Sequence, residues 1–206
     1  MTTVVCLRHG ETDWNATRRL QGWAPTPLND RGREQAAAAG AHLAASYDVD
    51  RLLASDLRRT RETATVLHES GVEPAPVFES TWRERDFGVY QGLTYDEMFS
   101  EYPEFAVGRS GESALALTPE RGESLLDLRE RVVDGFDRLL ADSGADETVL
   151  VVTHGGVLYA LVSHLTDTDF VTVVDEGGQG NCAVNEFRAV DDGVEAVRTN
   201  DTSYRE

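Results

Sequence analysis

Val149-Leu150-Val151-Val152-Thr153-His154-Gly155-Gly156 is an apolar run that stops on a histidine and two glycines. The chain opens on its counterpart, Val4-Val5-Cys6-Leu7-Arg8-His9-Gly10. Short runs of this kind, bounded by turn signals and rich in valine and leucine, read as strands buried on both faces. Strands buried that way belong to parallel sheets, whose carboxyl ends share the edge where ligands bind. Both histidines would then leave the sheet on one side. An imidazole beside an arginine can attack a phosphorus atom there while a second imidazole helps to hold the charge.

Outward from these strands the chain alternates strand and helix signals. The expected fold is α/β: a three-layer sandwich with a mostly parallel central sheet and helices on both faces. Asn29 can cap a helix running through the alanine-rich stretch Glu34 to Ala39. Arg51 to Ser55 reads as the next strand, Asp56 or Leu57 opens a helix toward Glu69, and a short strand follows at Ala75 to Phe78. From Gly122 to about Ala141 the residues Leu125, Leu128, Val132, Phe136, Leu139 and Leu140 recur at helical spacing. Val157 to Leu165 is a further helix, and Ala183 to Phe187 with Val194 to Arg198 form a closing strand pair. Between Arg85 and Arg121 the pattern is broken by Gly88, Gly92, Pro103, Gly108, Gly111 and Pro119. That segment, 85–121, reads as a small helical cap over the strand ends, within one domain spanning 1–206. The acidic, polar tail from Asp191 onward is expected to fray at its last residues.

Composition narrows the function. At 206 residues and 40% hydrophobic, the chain can bury a core without disulfides or a structural metal. Its two cysteines, Cys6 and Cys182, offer no disulfide framework and no metal-ligand spacing, and read as small core residues. No apolar run reaches eighteen residues. The first residues enter a strand pattern without a basic or apolar leader, so a cytoplasmic protein is expected. The formal net charge is -18, and all 19 basic residues are arginine. So acidic a surface repels nucleic acid and anionic membranes, which excludes both as expected partners. Such density also suits a protein working in concentrated salt, where screening relieves the self-repulsion. No interface stripe stands out from the core pattern, so the oligomeric state stays open.

Five blocks carry a resemblance. Arg8-His9-Gly10-Glu11-Thr12-Asp13-Trp14-Asn15, followed by Arg19-Leu20-Gln21-Gly22 and Pro27-Leu28, is the first, and Ser55 to Ala64, with Arg59 inside it, is the second. Trp82-Arg83-Glu84-Arg85-Asp86-Phe87-Gly88 with Gln91-Gly92 is the third, Gly122-Glu123-Ser124 the fourth, and His154-Gly155-Gly156-Val157 the fifth. In order and spacing they resemble the histidine phosphatase superfamily, the group that contains cofactor-dependent phosphoglycerate mutase. The resemblance runs from Thr3 to about Phe187 and implies a phosphoglycerate mutase-like fold. It also implies Arg59 at a catalytic position and Glu84 as the acid.

Residue chemistry fills in these roles. A phosphate ester repels nucleophiles, so the site needs fixed cations, and Arg8 and Arg59 can each grip two oxygens. His9 is the nucleophile, its tautomer fixed by an acceptor such as a backbone carbonyl in the loop that follows. His154 would stabilise charge on the transferring group, helped by the backbone N–H of Gly155 at a helix start. Asn15, Gln21 and Gly22 can add hydrogen bonds to phosphate or leaving group. A carboxyl group facing a phosphate dianion and shielded from water keeps its proton near neutrality, so Glu84 protonates the departing alkoxide and then activates water. Arginines and histidines bring the charge a metal would otherwise supply. Neither metal nor cofactor is expected.

Other residues carry plainer readings. Arg58 and Arg61 read as solvated helix-face charges, and His42, His68 and His164 as surface or packing residues. Trp14, Trp23, Trp82, Tyr90 and Tyr95 could line a pocket, although core packing is the simpler reading. Asp167-Thr168-Asp169 lacks the glycine and glutamate of a calcium loop, and Gly177-Gly178-Gln179-Gly180 reads as a turn before a strand.

Three functions remain open at this point. The first is a phosphomonoesterase for small phosphorylated metabolites that works through phosphohistidine. The second is a phosphoglycerate mutase, and the third a non-catalytic phosphate-binding protein. Mutases of the family carry a lysine shortly after the acid-bearing segment and an arginine pair further on. Here Tyr95 stands where that lysine is expected, and no adjacent arginine pair occurs between Arg85 and Arg121. Hydrolysis is favoured, while Arg85, Arg109 and Arg121 leave the mutase as the alternative.

Overall fold

Successive side chains of the central strands alternate between two apolar clusters, and that fixes the layers. In the computed structural model, which describes residues 1–191 and 193–205, β1 (Thr3–Arg8) sends Val4 and Cys6 to one side and Val5 and Leu7 to the other. The chain continues through α1 (Asp13–Ala16), α2 (Asp30–Ser46), β2 (Arg51–Ser55), α3 (Arg58–Glu69) and β3 (Val77–Glu79). Next come α4 (Tyr95–Glu101), α5 (Val107–Ser110), α6 (Glu112–Leu115), α7 (Leu125–Asp142) and β4 (Thr148–Thr153). It closes with α8 (Gly155–Leu165), α9 (Phe170–Glu176), β5 (Val184–Val190) and β6 (Gly193–Asp201).

The strands form one sheet in the order β3-β2-β4-β1-β5-β6. The first four run parallel, β5 is antiparallel to β1, and β6 is antiparallel to β5. Ala36, Ala39 and Leu43 of α2 pack with Ala64 and Leu67 of α3 against Val5, Leu7, Leu150 and Val152. On the opposite face Leu128, Val132 and Phe136 of α7 and Leu158 and Leu161 of α8 cover Val4, Cys6, Val149 and Val151. The sandwich therefore has three layers, as the alternation of signals implied. Both cysteines are buried, and burial pushes each thiol up to about 12. Neither forms a thiolate near neutrality.

Capping explains where the two longest helices start. Asn29 accepts from Gly32 N at 2.8 Å ahead of α2, and Ser124 forms a reciprocal capping box with Asp127 ahead of α7. The segment from Gly88 to Leu115 winds through three short helices and two 3-10 turns. Leu20, Met98 and Phe105 make a small apolar cluster of their own there, flanked by Phe87, Tyr90 and Tyr102.

Three sequence expectations need correction. The short strand lies at Val77–Glu79, later than expected, because Pro74 and Pro76 have no N–H for a sheet ladder. Helix α9 was missing from the reading: four of its seven residues are β-branched valine or threonine, poor helix formers in isolation. Asp169 caps it by accepting from Thr172 N at 2.9 Å. Nor does the tail hang free. β6 pairs along β5, and a 3-10 turn at Ser203–Arg205 folds back on the body through Tyr204, whose hydroxyl donates to Cys182 O at 2.6 Å. Glu206 lies outside the described residues. Among the described residues no helix is long and apolar enough to cross a membrane.

Candidate active site

β1 and β4 are neighbours with Arg8 opposite Thr153, so the residues that follow them emerge together. His9 N donates to Thr153 O at 2.9 Å. The rings of His9 and His154 lie 5.3 Å apart, tilted by 58°, and both are almost wholly buried.

The hydrogen bonds of His9 define its tautomer. Nδ1 lies 2.7 Å from Gly10 O, and a carbonyl can only accept, so the ring proton sits on Nδ1 and the lone pair on Nε2. Arg59 Nε donates to that same Nε2 at 3.2 Å. Burial holds the imidazole well below its ordinary range, reinforced by the positive charges of Arg59 and Arg8. The ring is therefore neutral at neutral pH, with an unprotonated nitrogen facing the guanidinium.

Arg59 sits in the first turn of α3 and is 1% exposed. Its Nη2 donates to Gly22 O at 2.8 Å, and its Nη1 reaches Ala24 O at 3.3 Å. Burial, with Arg8 adding repulsion, lowers its pKa to about 10, which leaves the cation intact near neutrality. Thr63, one turn along α3, accepts from Gly10 N at 3.1 Å, which ties the loop after His9 to the helix that carries Arg59. The Gln21-Gly22 loop braces the site through two of its oxygens. Gly22 offers its carbonyl to Arg59, and Gln21 Oε1 accepts from the Thr26 hydroxyl at 2.7 Å. Asn15 likewise spends its Oδ1 on a capping box with Thr12, so the part of it able to reach a phosphate is the amide nitrogen.

On the other side, His154 Nε2 lies 2.9 Å from Ser55 Oγ, and that oxygen accepts from Leu57 N at 3.4 Å. A hydroxyl can donate to Nε2 or accept from it, and the arrangement in which Ser55 donates leaves the ring proton on Nδ1, the nitrogen without a protein partner. His154 Nδ1 and Arg8 Nε are both buried without a hydrogen-bond partner, although Arg8 Nη1 donates to Gln179 O. Buried donors normally find acceptors. Two of them within electrostatic reach of each other, beside Arg59, suit an oxyanion. Burial, then Arg59, then His9 and Arg8, hold His154 well below its ordinary range.

Glu84 completes the group. Its Oε2 accepts from Gly156 N at 3.1 Å, in the first turn of α8, and Oε1 accepts from Arg85 N at 2.8 Å. A side chain at position 156 would push the carboxylate aside: an added Cβ would lie 2.2 Å from Glu84 Oε1. At Gly155, by contrast, an added Cβ would lie 3.7 Å from Arg8 Nε, an ordinary van der Waals contact. The Trp23 indole donates to Glu84 O at 2.8 Å and carries Arg83 over its face. Trp23 is therefore a wall of the site, whereas Trp82 is core.

The structure thus brings Arg8, His9, Arg59, Glu84, His154 and Gly155 to one edge of the sheet, with Asn15 beside them through Asn181. Sequence reasoning gave no role to Ser55, Thr63, Thr26 or Asn181, and named Trp23 only among five aromatics that could line a pocket. Ser55 stood inside a motif block, which was the available signal; Asn181 follows a glycine-rich turn and had none. Among the described residues no group of three or more His, Cys, Asp or Glu side chains is arranged to hold a metal ion.

Comparison with known proteins agrees with this geometry. A family model described as histidine phosphatase superfamily (branch 1) matches residues 4–202. Glucosyl-3-phosphoglycerate phosphatase of Mycolicibacterium vanbaalenii is 33% identical over 87% of the chain and 81% of its own length. The 2,3-bisphosphoglycerate-dependent phosphoglycerate mutase of Thermobifida fusca is 36% identical over 82% of the chain and 80% of its own. The structure of Bacillus stearothermophilus YhfR superposes with a TM-score of 0.89 at 29% identity, covering 100% of both chains. From its sheet order, its paired strand-end histidines and the match along nearly its whole length, this chain belongs to the histidine phosphatase superfamily, branch 1.

Proposed function

We propose that this protein is a metal-independent phosphomonoesterase acting on small phosphorylated metabolites through a phosphohistidine intermediate. The observation that carries the reading is His9 Nε2, unprotonated and 3.2 Å from Arg59, with the unpartnered donors of His154 and Arg8 close by. In this reading Arg8, Arg59 and His154 bind the phosphate oxygens, aided by Gly155 N and the Asn15 amide. Nε2 attacks phosphorus, the ester P–O bond breaks, and Glu84 gives its proton to the departing oxygen. Water then attacks the phosphohistidine, Glu84 takes up a proton from it, and phosphate leaves. Segment 85–121 serves as the cap of a single domain.

A mutase is the second reading, supported by the Thermobifida relative. The cap speaks against it. Arg85 is spent on Glu123 O at 2.8 Å and Leu117 O at 3.0 Å, which removes it from the cations available for a substrate carboxylate. The acidic composition fits a cytoplasm of high salt, which we propose as the working environment. The deciding experiment is a metabolite screen in molar salt that follows free phosphate and 2-/3-phosphoglycerate interconversion together. Phosphate release, abolished at least ~10³-fold in His9→Ala, is the expected result. Interconversion without net release establishes the mutase, and silence across the panel the non-catalytic alternative.

A further inference from the structure

The main chain at His9 is held from the far end of the polypeptide. Asn181 Nδ2 donates to His9 O at 3.1 Å and reaches Asn15 Oδ1 at 3.4 Å. Next to it, Cys182 N donates to Arg8 O at 3.0 Å and to His9 O at 3.3 Å, and Arg8 N donates to Ala183 O at 3.2 Å. The loop 181–183 therefore grips the peptide that joins Arg8 to His9. Cys182 has φ of +53°, a conformation that a residue with a Cβ keeps only where its surroundings impose it.

Those surroundings are the Ser203–Arg205 turn. Tyr204 Oη donates to Cys182 O at 2.6 Å, Arg205 Nη2 donates to Asn181 O, and Arg205 Nε donates to Tyr204 Oη at 3.3 Å. The Tyr204 ring stacks on His42 of α2, 4.7 Å away and within 8° of parallel. The carbonyls of Asn181 and Cys182 thus each have a donor on the turn, and the turn is itself seated on a helix.

We propose that Asn181, Tyr204 and Arg205 are positioning residues for the nucleophile: the C-terminal turn clamps the 181–183 loop, and the loop sets the direction of the Arg8–His9 peptide. None of the three is placed to touch phosphate. The inference rests on His9 being the attacking group. Arg59 and His154 reach the site from α3 and the end of β4 and hold phosphate independently of the clamp, whereas the aim of Nε2, with Arg8 beside it, depends on the clamp. An error of about 1 Å in that aim can cost ~10²-fold in rate.

The test compares Asn181→Ala, Arg205→Ala, Tyr204→Phe and Arg205→Lys with the intact protein. Readouts are kcat and KM on p-nitrophenyl phosphate, rapid-quench formation of phosphohistidine, and the ring ¹⁵N shifts of His9. Asn181→Ala and Arg205→Ala are expected to lower kcat and phosphohistidine formation together by ~10- to 100-fold, with KM within about twofold. Tyr204→Phe keeps the stack on His42 and loses less, and Arg205→Lys, still able to donate to Asn181 O, recovers most of the rate. The His9 ring signals shift in the two alanine variants. The proposal is overturned if both keep kcat within about twofold, if the loss falls in KM alone, or if lysine and alanine at 205 are equally impaired. If the intact protein lacks phosphatase activity, the functional reading fails, and unchanged His9 signals in Arg205→Ala still overturn the clamp on its own terms.

Discussion

Glu84 lies against two backbone donors, Arg85 N and Gly156 N, and the proposed chemistry requires it to hand a proton to the leaving oxygen. That requirement depends on the leaving group. With an alkyl phosphate the departing alkoxide needs the proton as the bond breaks; with p-nitrophenyl phosphate it hardly does. Glu84→Gln keeps the size and one acceptor oxygen but carries no acidic proton. Loss of the base that activates water lowers kcat on both substrates, but kcat/KM, which reports only the steps up to phosphohistidine, should fall ~10²- to 10³-fold on alkyl esters and far less on the aryl ester. Equal losses of kcat/KM on both would remove Glu84 from the acid role. Ser55 belongs to the same scale: one hydroxyl 2.9 Å from His154 Nε2 decides which ring nitrogen is left for the substrate.

At the level of elements, the approach of α8 to the Glu84 loop depends on a missing side chain. Gly156→Ala would drive a methyl group into Glu84 and to 3.1 Å from Leu128 Cδ2. Both atoms are ends of flexible side chains and alanine suits a helix better than glycine, so urea unfolding is expected to change by no more than about 1 kcal/mol, whereas turnover falls because the carboxylate must move away. A variant as active as the parent would show that the loop yields freely. The same scale shows what was legible in the sequence. β1, β2, β4 and α7 were readable because their apolar residues follow one period and each ends on a strong turn signal. Helix α9 was not, since valine and threonine favour strands and only contacts with α5 and α8 make it a helix. The candidate site was legible where consecutive residues carry it, as in Arg8-His9 or His154-Gly155-Gly156. Asn181 and the Ser203–Arg205 turn escaped notice because their meaning arises only when β5 lies beside β1.

For the whole molecule, two buried imidazoles link stability to acidity. His9 and His154 stay unprotonated in the fold well below 6.5, whereas in the unfolded chain each takes up a proton near that value. The unfolded state then binds more protons, so stability is lost as pH falls below about 6.5, by up to ~1.4 kcal/mol per unit for each histidine. Urea unfolding at about pH 7.5 and about pH 5.5 measures the slope, which should shrink by one histidine's share in His9→Gln. A parent whose stability is flat across that range would contradict the neutral assignment. The net charge of -18 acts independently. Self-repulsion is screened when the Debye length drops to roughly 3 Å in molar salt. The melting temperature should therefore climb between dilute buffer and molar sodium chloride, and a fall would refute the high-salt setting.

β1 and β4 are adjacent in the sheet yet stand near opposite ends of the sequence. During synthesis the ribosome releases the first histidine long before the second, and the residues around Asn181 later still. A nascent chain is therefore mute toward phosphate esters until almost all of it has emerged, and the return of turnover after dilution from denaturant clocks this long-range pairing more directly than recovery of helix content does.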